Sequence, residues 1–142
     1  MPNAFVFVSR NGRVSASTTS ADGRATVRLF DGDGPLHIAV YSGTHGWTFA
    51  QPQPSGDQEI AVEMTAGDAS LSVRSEKLYP LAIVAPTGFP IHEALAILGS
   101  RPVVRPDSAY ILERLPHGSY TVSAGGMARS AMLGNKPADV RF

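Results

Sequence analysis

The amino-acid sequence predicts an all-β protein made of two tandem β-sandwich modules, and three features of the chain support this fold class. Short runs of alternating apolar and polar residues recur along the chain, as they do in strands with one buried face. The 14 glycines and 11 prolines lie between these runs, at intervals of about eight to twelve residues that are typical of sandwiches. Two long stretches also repeat one local pattern, which indicates a duplicated module.

Strands are predicted wherever an alternating run is bounded by turn residues. Leu36, Ile38 and Val40, for example, alternate with His37 and Ala39 and therefore share one face of a strand. The predicted strands are 4–9, 12–18, 24–30, 35–41, 58–64, 70–74, 78–84, 93–98, 109–115, 119–124 and 138–142.

The segment 90–100 fits either a helix or a strand. Its Glu, Ala and Leu residues favour a short helix that Gly99 would end. The alignment of the two repeats places a strand there instead, and we expect a strand at 93–98.

The repeat is visible when residues 4–43 are aligned with residues 94–126. Each stretch begins with an alanine and an apolar run that ends in Ser-Arg. Each then passes through an Asp-containing turn, a second strand, a glycine turn and a final alternating strand. The link at 65–70 is the natural boundary, so the predicted modules are 1–66 and 67–142.

The first module lacks a strand that precedes the repeat in the second module. Three explanations stay open: a reduced sandwich, a piece of a longer protein, or a strand supplied by a neighbouring chain. The first apolar run would then be an open edge that pairs with another copy or with a protein partner. The predicted edge residues are Ala4, Phe5, Val6, Phe7 and Val8.

Short turn-and-strand motifs recur in both halves of the chain. Their residues are Thr19, Asp22, Gly23, Gly34, Ile38 and Val40 in the first half, and Gly88, Pro90, Ala94, Leu115, Pro116, Gly118, Tyr120 and Val122 in the second. With these motifs both halves resemble the carboxypeptidase regulatory-like domains, which are transthyretin-like (prealbumin-type) β-sandwiches, and more loosely the immunoglobulin-like sandwiches. His117 stands where the family pattern has a second proline, and Ser108-Ala109 replaces the Asp-Gly of a turn. The resemblance implies an accessory role in positioning, adhesion or assembly.

The run LERLPHGSYTV at 112–122 has a physical explanation that needs no chemistry. Leu115 is predicted to be a core residue that closes one strand, and Pro116 cannot continue the ladder. Gly118 permits a tight hairpin return, after which Tyr120 and Val122 point inward.

Composition excludes several classes of function. Twelve basic and twelve acidic residues cancel, so we expect no nucleic-acid surface. The absence of cysteine excludes disulfides and thiolate chemistry, and no apolar run is long enough to insert into a membrane. We expect a cytoplasmic protein if Met1 is the native start, and a cell-surface or periplasmic one if the chain is a processed piece.

No catalytic, metal or cofactor site is predicted. The four histidines form no metal-binding spacing, and no G-x-S-x-G motif is present. Asp31 and Asp33 resemble the start of a calcium loop, but Pro35 and Ser42 occupy later ligand positions, which favours a turn. Transthyretin-like hydrolases end in Tyr-Arg-Gly-Ser whereas this chain ends in Val-Arg-Phe, so a hydrolase is a remote alternative.

The segment 42–58 contains the only tryptophan of the chain and has two interpretations. In the first, Tyr41, His45, Trp47 and Phe49 form an exposed platform for a carbohydrate, a small ligand or a protein. In the second, Trp47 folds back and covers one end of the sandwich.

The function that these observations favour is non-enzymatic. We expect a structural or protein-interaction module of a larger bacterial assembly or multidomain protein. The alternative is a carbohydrate- or ligand-binding module that uses the segment around Trp47.

Overall fold

The computed structural model describes residues 4–10, 13–20, 25, 35–43, 45–50 and 67–142. These residues form an all-β, sandwich-like fold, as the sequence predicts, and they include one short helix. The elements are β1 (Phe5–Arg10), β2 (Arg13–Thr18), β3 (His37–Ser42), β4 (Gly46–Ala50), β5 (Ala69–Arg74), β6 (Tyr79–Pro80), β7 (Ala82–Val84), α1 (Ile91–Ile97), β8 (Val103–Val104), β9 (Tyr110–Leu115), β10 (Gly118–Ala124), β11 (Met127–Leu133) and β12 (Ala138–Arg141).

The first four strands form an antiparallel sheet in the order β2-β1-β3-β4. Strand β1 is apolar on both faces, so its sequence is nearly continuous in hydrophobic residues rather than alternating. Phe7 packs on one face into the main core, whereas Val8 packs on the other face with Ile38 and Val40.

The remaining strands form two three-stranded sheets and one short pair. The sheets have the orders β12-β5-β9 and β11-β10-β7, and β6 pairs with β8. Strand β12 runs parallel to β5, and the other pairings are antiparallel. Leu71 and Val73 of β5 and Tyr120 and Val122 of β10 are fully buried in one core, as alternation predicts for half-buried strands.

A cluster of aromatic rings joins the first sheet to the later ones. The ring of Phe89 lies 6.4 Å from that of Phe7 and 6.0 Å from that of Phe49. Phe49 also contacts Tyr120 at 6.3 Å between ring centroids. Both predicted modules therefore contribute side chains to the main core, while the division at 66/67 stays a prediction.

The prediction of a strand at 93–98 is wrong, because the segment forms α1. Ile91, Ala94 and Leu95 lie on one helical face and are buried. Pro90 precedes the helix, and Gly99 follows it with a left-handed φ of 83°, the conformation that ends many helices. The helical periodicity of the apolar residues prevails over the alignment of the repeats.

The other predicted strands that lie within the described residues all overlap observed ones, but the prediction is incomplete. The sequence misses β4, β8 and β11, and 78–84 contains two strands, β6 and β7, in place of one. The predicted strand at 58–64 and the DGDG turn at 31–34 lie outside the described residues. Of the predicted strand at 24–30, the structure describes only residue 25.

The connection after Leu115 crosses from one sheet to the other, so the prediction of a hairpin is wrong. β9 pairs with β5, whereas β10 pairs with β7 and β11. The side-chain roles are as expected, since Leu115, Tyr120 and Val122 are fully buried. The Tyr120 hydroxyl donates a hydrogen bond of 2.8 Å to the Pro116 carbonyl, which fixes this crossing.

The helix of the described residues is far shorter than a bilayer is thick, and none of these residues forms a membrane-spanning helix.

Replacement of Tyr120 by Phe tests the hydroxyl at the crossing. At neutral pH we expect a loss of about 1 kcal/mol in the free energy of unfolding, because the bond to Pro116 is lost. Burial raises the pKa of Tyr120, so the folded state retains its proton after the unfolded chain has released it. Stability should therefore fall as the pH rises through about 10, the pKa of an unfolded tyrosine, and fall less in Tyr120→Phe.

Denaturant unfolding at several pH values between neutral and alkaline measures both effects. Burial also raises the pKa of Tyr110, so part of the alkaline loss should persist in the variant. If the stability of the two proteins depended on pH in the same way, the Tyr120 hydroxyl would not be a cause of the alkaline loss.

Candidate binding cleft

A cleft of about 590 Å³ lies between three parts of the chain that are far apart in sequence. Tyr41 and Trp47, which are directly opposite each other on β3 and β4, form one side. Leu95 and Leu98 at the end of α1 form the second side, and β9 forms the third. Its volume falls in the range of about 300–1,000 Å³ that is usual for ligand sites.

The cleft runs along the edge of β9 and not over one of its faces. It contacts the four consecutive residues 111–114, although successive side chains of a strand point to opposite faces. β9 pairs with β5 on its other side, and among the described residues no strand pairs with the side that borders the cleft. Within the part of the chain that the structure describes, the outward backbone N–H and C=O groups of β9 thus belong to a sheet edge.

A β-bulge ends the regular part of β9 at Glu113 and Arg114. Ala69 and Leu71 are two residues apart on β5, whereas their partners Leu115 and Leu112 are three apart on β9. The extra residue is accommodated by Arg114, whose φ of 59° is left-handed. The bulge allows Leu112 and Leu115 to be buried, while the two residues between them are exposed.

Backbone from two other segments packs against this bulge beside Arg114, and we call this end of the cleft its closed end. A Cβ atom on Gly67 would lie 2.6 Å from the Arg114 carbonyl oxygen, and a Cβ on Gly46 would also overlap Arg114. The Gly67 N–H donates a 3.0 Å hydrogen bond to the His45 carbonyl, which holds the two glycine segments together. Only glycine permits so close an approach of backbones.

Two opposite charges border the cleft at this end. The Arg114 guanidinium donates a hydrogen bond to the Gly43 carbonyl, which holds the positive group beside the β3–β4 turn. Glu113 is exposed, and no ion pair joins it to another described residue. The remaining side chains that the cleft contacts are mostly apolar, with Ser100 exposed at its rim.

The aromatic residues predicted as a platform are placed in two different ways. Tyr41 and Trp47 border the cleft, with ring centroids 4.9 Å apart, whereas Phe49 packs into the core against Phe89. Trp47 is only 1% exposed, so its indole does not form the exposed platform of the first interpretation. The tryptophan packs inward against Phe7 and Phe49, and His45 contributes its backbone to the cleft's closed end.

The residues predicted as an open edge, Ala4, Phe5, Val6, Phe7 and Val8, are not at an edge. Phe5–Val8 belong to β1, which pairs with β2 on one side and with β3 on the other. Ala4 precedes the strand, and its N–H donates a hydrogen bond to the Thr19 hydroxyl. Strand addition at β1 is excluded because both of its edges are already paired.

The titratable groups of the described residues form no obvious reactive centre. No group of three or more His, Asp or Glu side chains in this part of the chain could hold a metal ion. His117 and Asp68 form a pair with 2.6 Å between Nε2 and Oδ1, but both side chains are largely exposed. A pair of this kind contributes little to stability and has no neighbouring nucleophile in the contacts described.

Sequence reasoning missed the residues that matter most in the cleft, which are Ile111 and Arg114. Ile111 is 58% exposed on β9 and borders the cleft. The spacing of Leu112 and Leu115 is the feature of the sequence that could have predicted the irregular backbone at Arg114. Two core leucines three residues apart cannot share one face of a regular strand, so LERL indicates a bulge.

No family model, curated protein or solved structure matches the chain, and the resemblance to carboxypeptidase regulatory-like domains stays an expectation.

Replacement of Gly67 by Ala tests the close approach at the bulge. The new methyl group would overlap the backbone of Arg114 and Leu115, so we expect a loss of about 1–3 kcal/mol in the free energy of unfolding. Gly43→Ala is the matched control, because a Cβ there meets nothing within 4 Å. Chemical denaturation measures both variants, and equal losses would show that the contact at Gly67 is not tight.

Proposed function

We propose that the chain is a non-enzymatic interaction module that binds an extended polypeptide segment by adding it as a strand to β9. The observation that carries the proposal is the edge of β9 that pairs with no strand of the described residues and that runs beside a cleft bordered by both apolar side chains and polar groups. An added strand gains main-chain hydrogen bonds from such an edge, and pockets beside the edge select its alternate side chains.

The apolar contacts of the cleft supply the second part of the binding energy. Leu95 and Leu98 lie on one side of the β9 edge, so every second side chain of an added strand would be buried against them. Ile111 is exposed on β9 itself and would be covered by a neighbouring side chain of the partner.

The shape of the cleft favours an extended segment over a folded partner. Residues at the end of α1 and at the β3–β4 turn border the cleft beside the β9 edge. A second copy of this chain would have to bring a whole sheet edge past both walls, whereas a single extended strand is narrow enough to enter. The partner is therefore a flexible segment of another protein, consistent with the accessory role that the family resemblance implies.

A small-molecule or carbohydrate ligand is the second candidate function. Tyr41 is half-buried beside Trp47 at the edge of the cleft, and its ring could stack on a sugar. Such a ligand would use the aromatic side of the cleft and would not need the backbone of β9.

Obstruction of the cleft at Ser100 tests the proposed function. Ser100 is exposed at the rim, so Ser100→Phe should fill the entrance without disturbing the core. Arg101→Phe is the matched control, since Arg101 is also exposed but does not border the cleft. A display library of random eight-residue peptides should yield binders with apolar residues at alternate positions, which bind Ser100→Phe at least about tenfold more weakly.

Fluorescence anisotropy of one labelled binder measures the affinities. N-methylation of alternate amides of this peptide should abolish binding, because a methylated nitrogen cannot donate to β9. Equal binding to the native protein and to Ser100→Phe would place the site elsewhere. Insensitivity to every N-methylation, together with a glycan that shifts Trp47 fluorescence, would favour the second candidate.

A further inference from the structure

We infer that the cleft receives the C-terminal end of its peptide partner and that the Arg114 guanidinium binds the terminal carboxylate. This inference rests on the proposed function, and it adds the direction of the bound strand and the chemical group at its end.

The closed end of the cleft is the first reason. A strand that pairs with β9 in the direction from Tyr110 towards Arg114 meets the bulge, where the regular ladder stops. Beyond the bulge, Gly46 and Gly67 are packed on the backbone of Arg114 and leave no room for another chain. A bound segment must therefore terminate there or turn out at once into solvent, and an end of the chain fits this geometry best.

The position of Arg114 is the second reason. Its Nη1 donates to the Gly43 carbonyl, so the guanidinium is held at the cleft while its other N–H groups can donate to a ligand. A guanidinium binds a carboxylate through two parallel hydrogen bonds. This charge complementarity assigns the C-terminus, and not the positively charged N-terminus, to the closed end.

The backbone conformation of Arg114 is the third reason. Arg114 is the only non-glycine residue with a positive φ among the residues that the structure describes. Glycine or asparagine would adopt this conformation at a lower free-energy cost, so the local backbone gives no reason for an arginine. A residue held in an unfavourable conformation beside a cleft is typical of a position where the side chain serves a function.

Glu113 sets a limit on where the carboxylate lies. Its own carboxylate also borders the cleft and would repel the terminus of the peptide. The terminus should therefore lie on the Gly43 side of Arg114, away from Glu113. With its C-terminus at Arg114, the peptide runs parallel to β9.

Two peptide libraries test this inference and separate it from the proposed function. In one library, random eight-residue segments end in a free carboxylate, and in the other the same segments are followed by a long polar extension. We expect the full-length protein to enrich binders from the first library only. Equal enrichment from both would overturn the carboxylate inference and leave the proposed function standing. Enrichment from neither would overturn the proposed function itself.

Synthetic versions of one enriched peptide then test Arg114 directly. The C-terminal amide should bind about 10- to 100-fold more weakly than the free acid, the range expected for a charged hydrogen bond. Arg114→Gln should weaken the free acid by a similar factor and leave the amide unchanged, and Glu113→Gln should strengthen binding of the free acid. Arg105→Gln, at an exposed site that does not border the cleft, is the control for net charge.

The difference between acid and amide is the decisive readout, because a variant that merely lost stability would bind both peptides less well. Thermal unfolding of each variant checks the fold. An equal effect of Arg114→Gln on acid and amide, or no effect on either, would overturn the role of Arg114.

Discussion

The contact between the β9 bulge and two glycines is the constraint on which the rest of this structure depends. Gly46 and Gly67 lie in different parts of the chain, and both pack directly on the backbone of Arg114. This contact brings the start of β4 against β9. It also packs backbone against the bulge at the Arg114 end of the cleft, whose other walls include Trp47, Leu95 and Leu98.

The aromatic cluster has a different part in the architecture. Phe7, Trp47 and Phe49 project from the first sheet towards Phe89 and Tyr120, so the sheets share one core rather than meeting along a polar boundary. Aromatic pairs with ring centroids about 4.5–7 Å apart contribute beyond the apolar area that they bury. Trp47 and Leu95, which border the cleft, consequently belong to one common core.

The sequence predicts local features well where one physical rule governs the segment. Alternation in β10 identifies the strand and its buried face, because β10 has one face in the core. Alternation also identifies β3, but Ala39 on its other face is buried as well. The strand predicted at 4–9 is confirmed as β1, but its place at an open edge is wrong, since Phe5–Val8 lies between two strands. The alignment of the repeats failed at Ile91–Ile97, where the helical spacing of the buried residues gives the observed structure.

The cleft could not be predicted from the patterns within single segments, because its residues come from segments that are distant in sequence. The hydrogen bond from Arg114 to Gly43 joins residues 71 positions apart. The periodicity of apolar residues in a segment does not predict a contact over such a distance in sequence. β4 was not predicted as a strand, and the structure identifies it by its pairing with β3. The sequence did single out Tyr41 and Trp47, yet the two rings matter as a wall of the cleft and not as an exposed platform.

Amide hydrogen exchange, resolved by residue in the full chain without any added peptide, tests the central claim most directly. In an antiparallel pair, alternate N–H groups of β9 point towards β5 and the others point away. If the edge is unpaired, protection across Tyr110–Glu113 should alternate, with slow exchange for the groups facing β5 and fast exchange for those facing the cleft. Slow exchange at all of these amides would show that the edge is already occupied and would contradict the account.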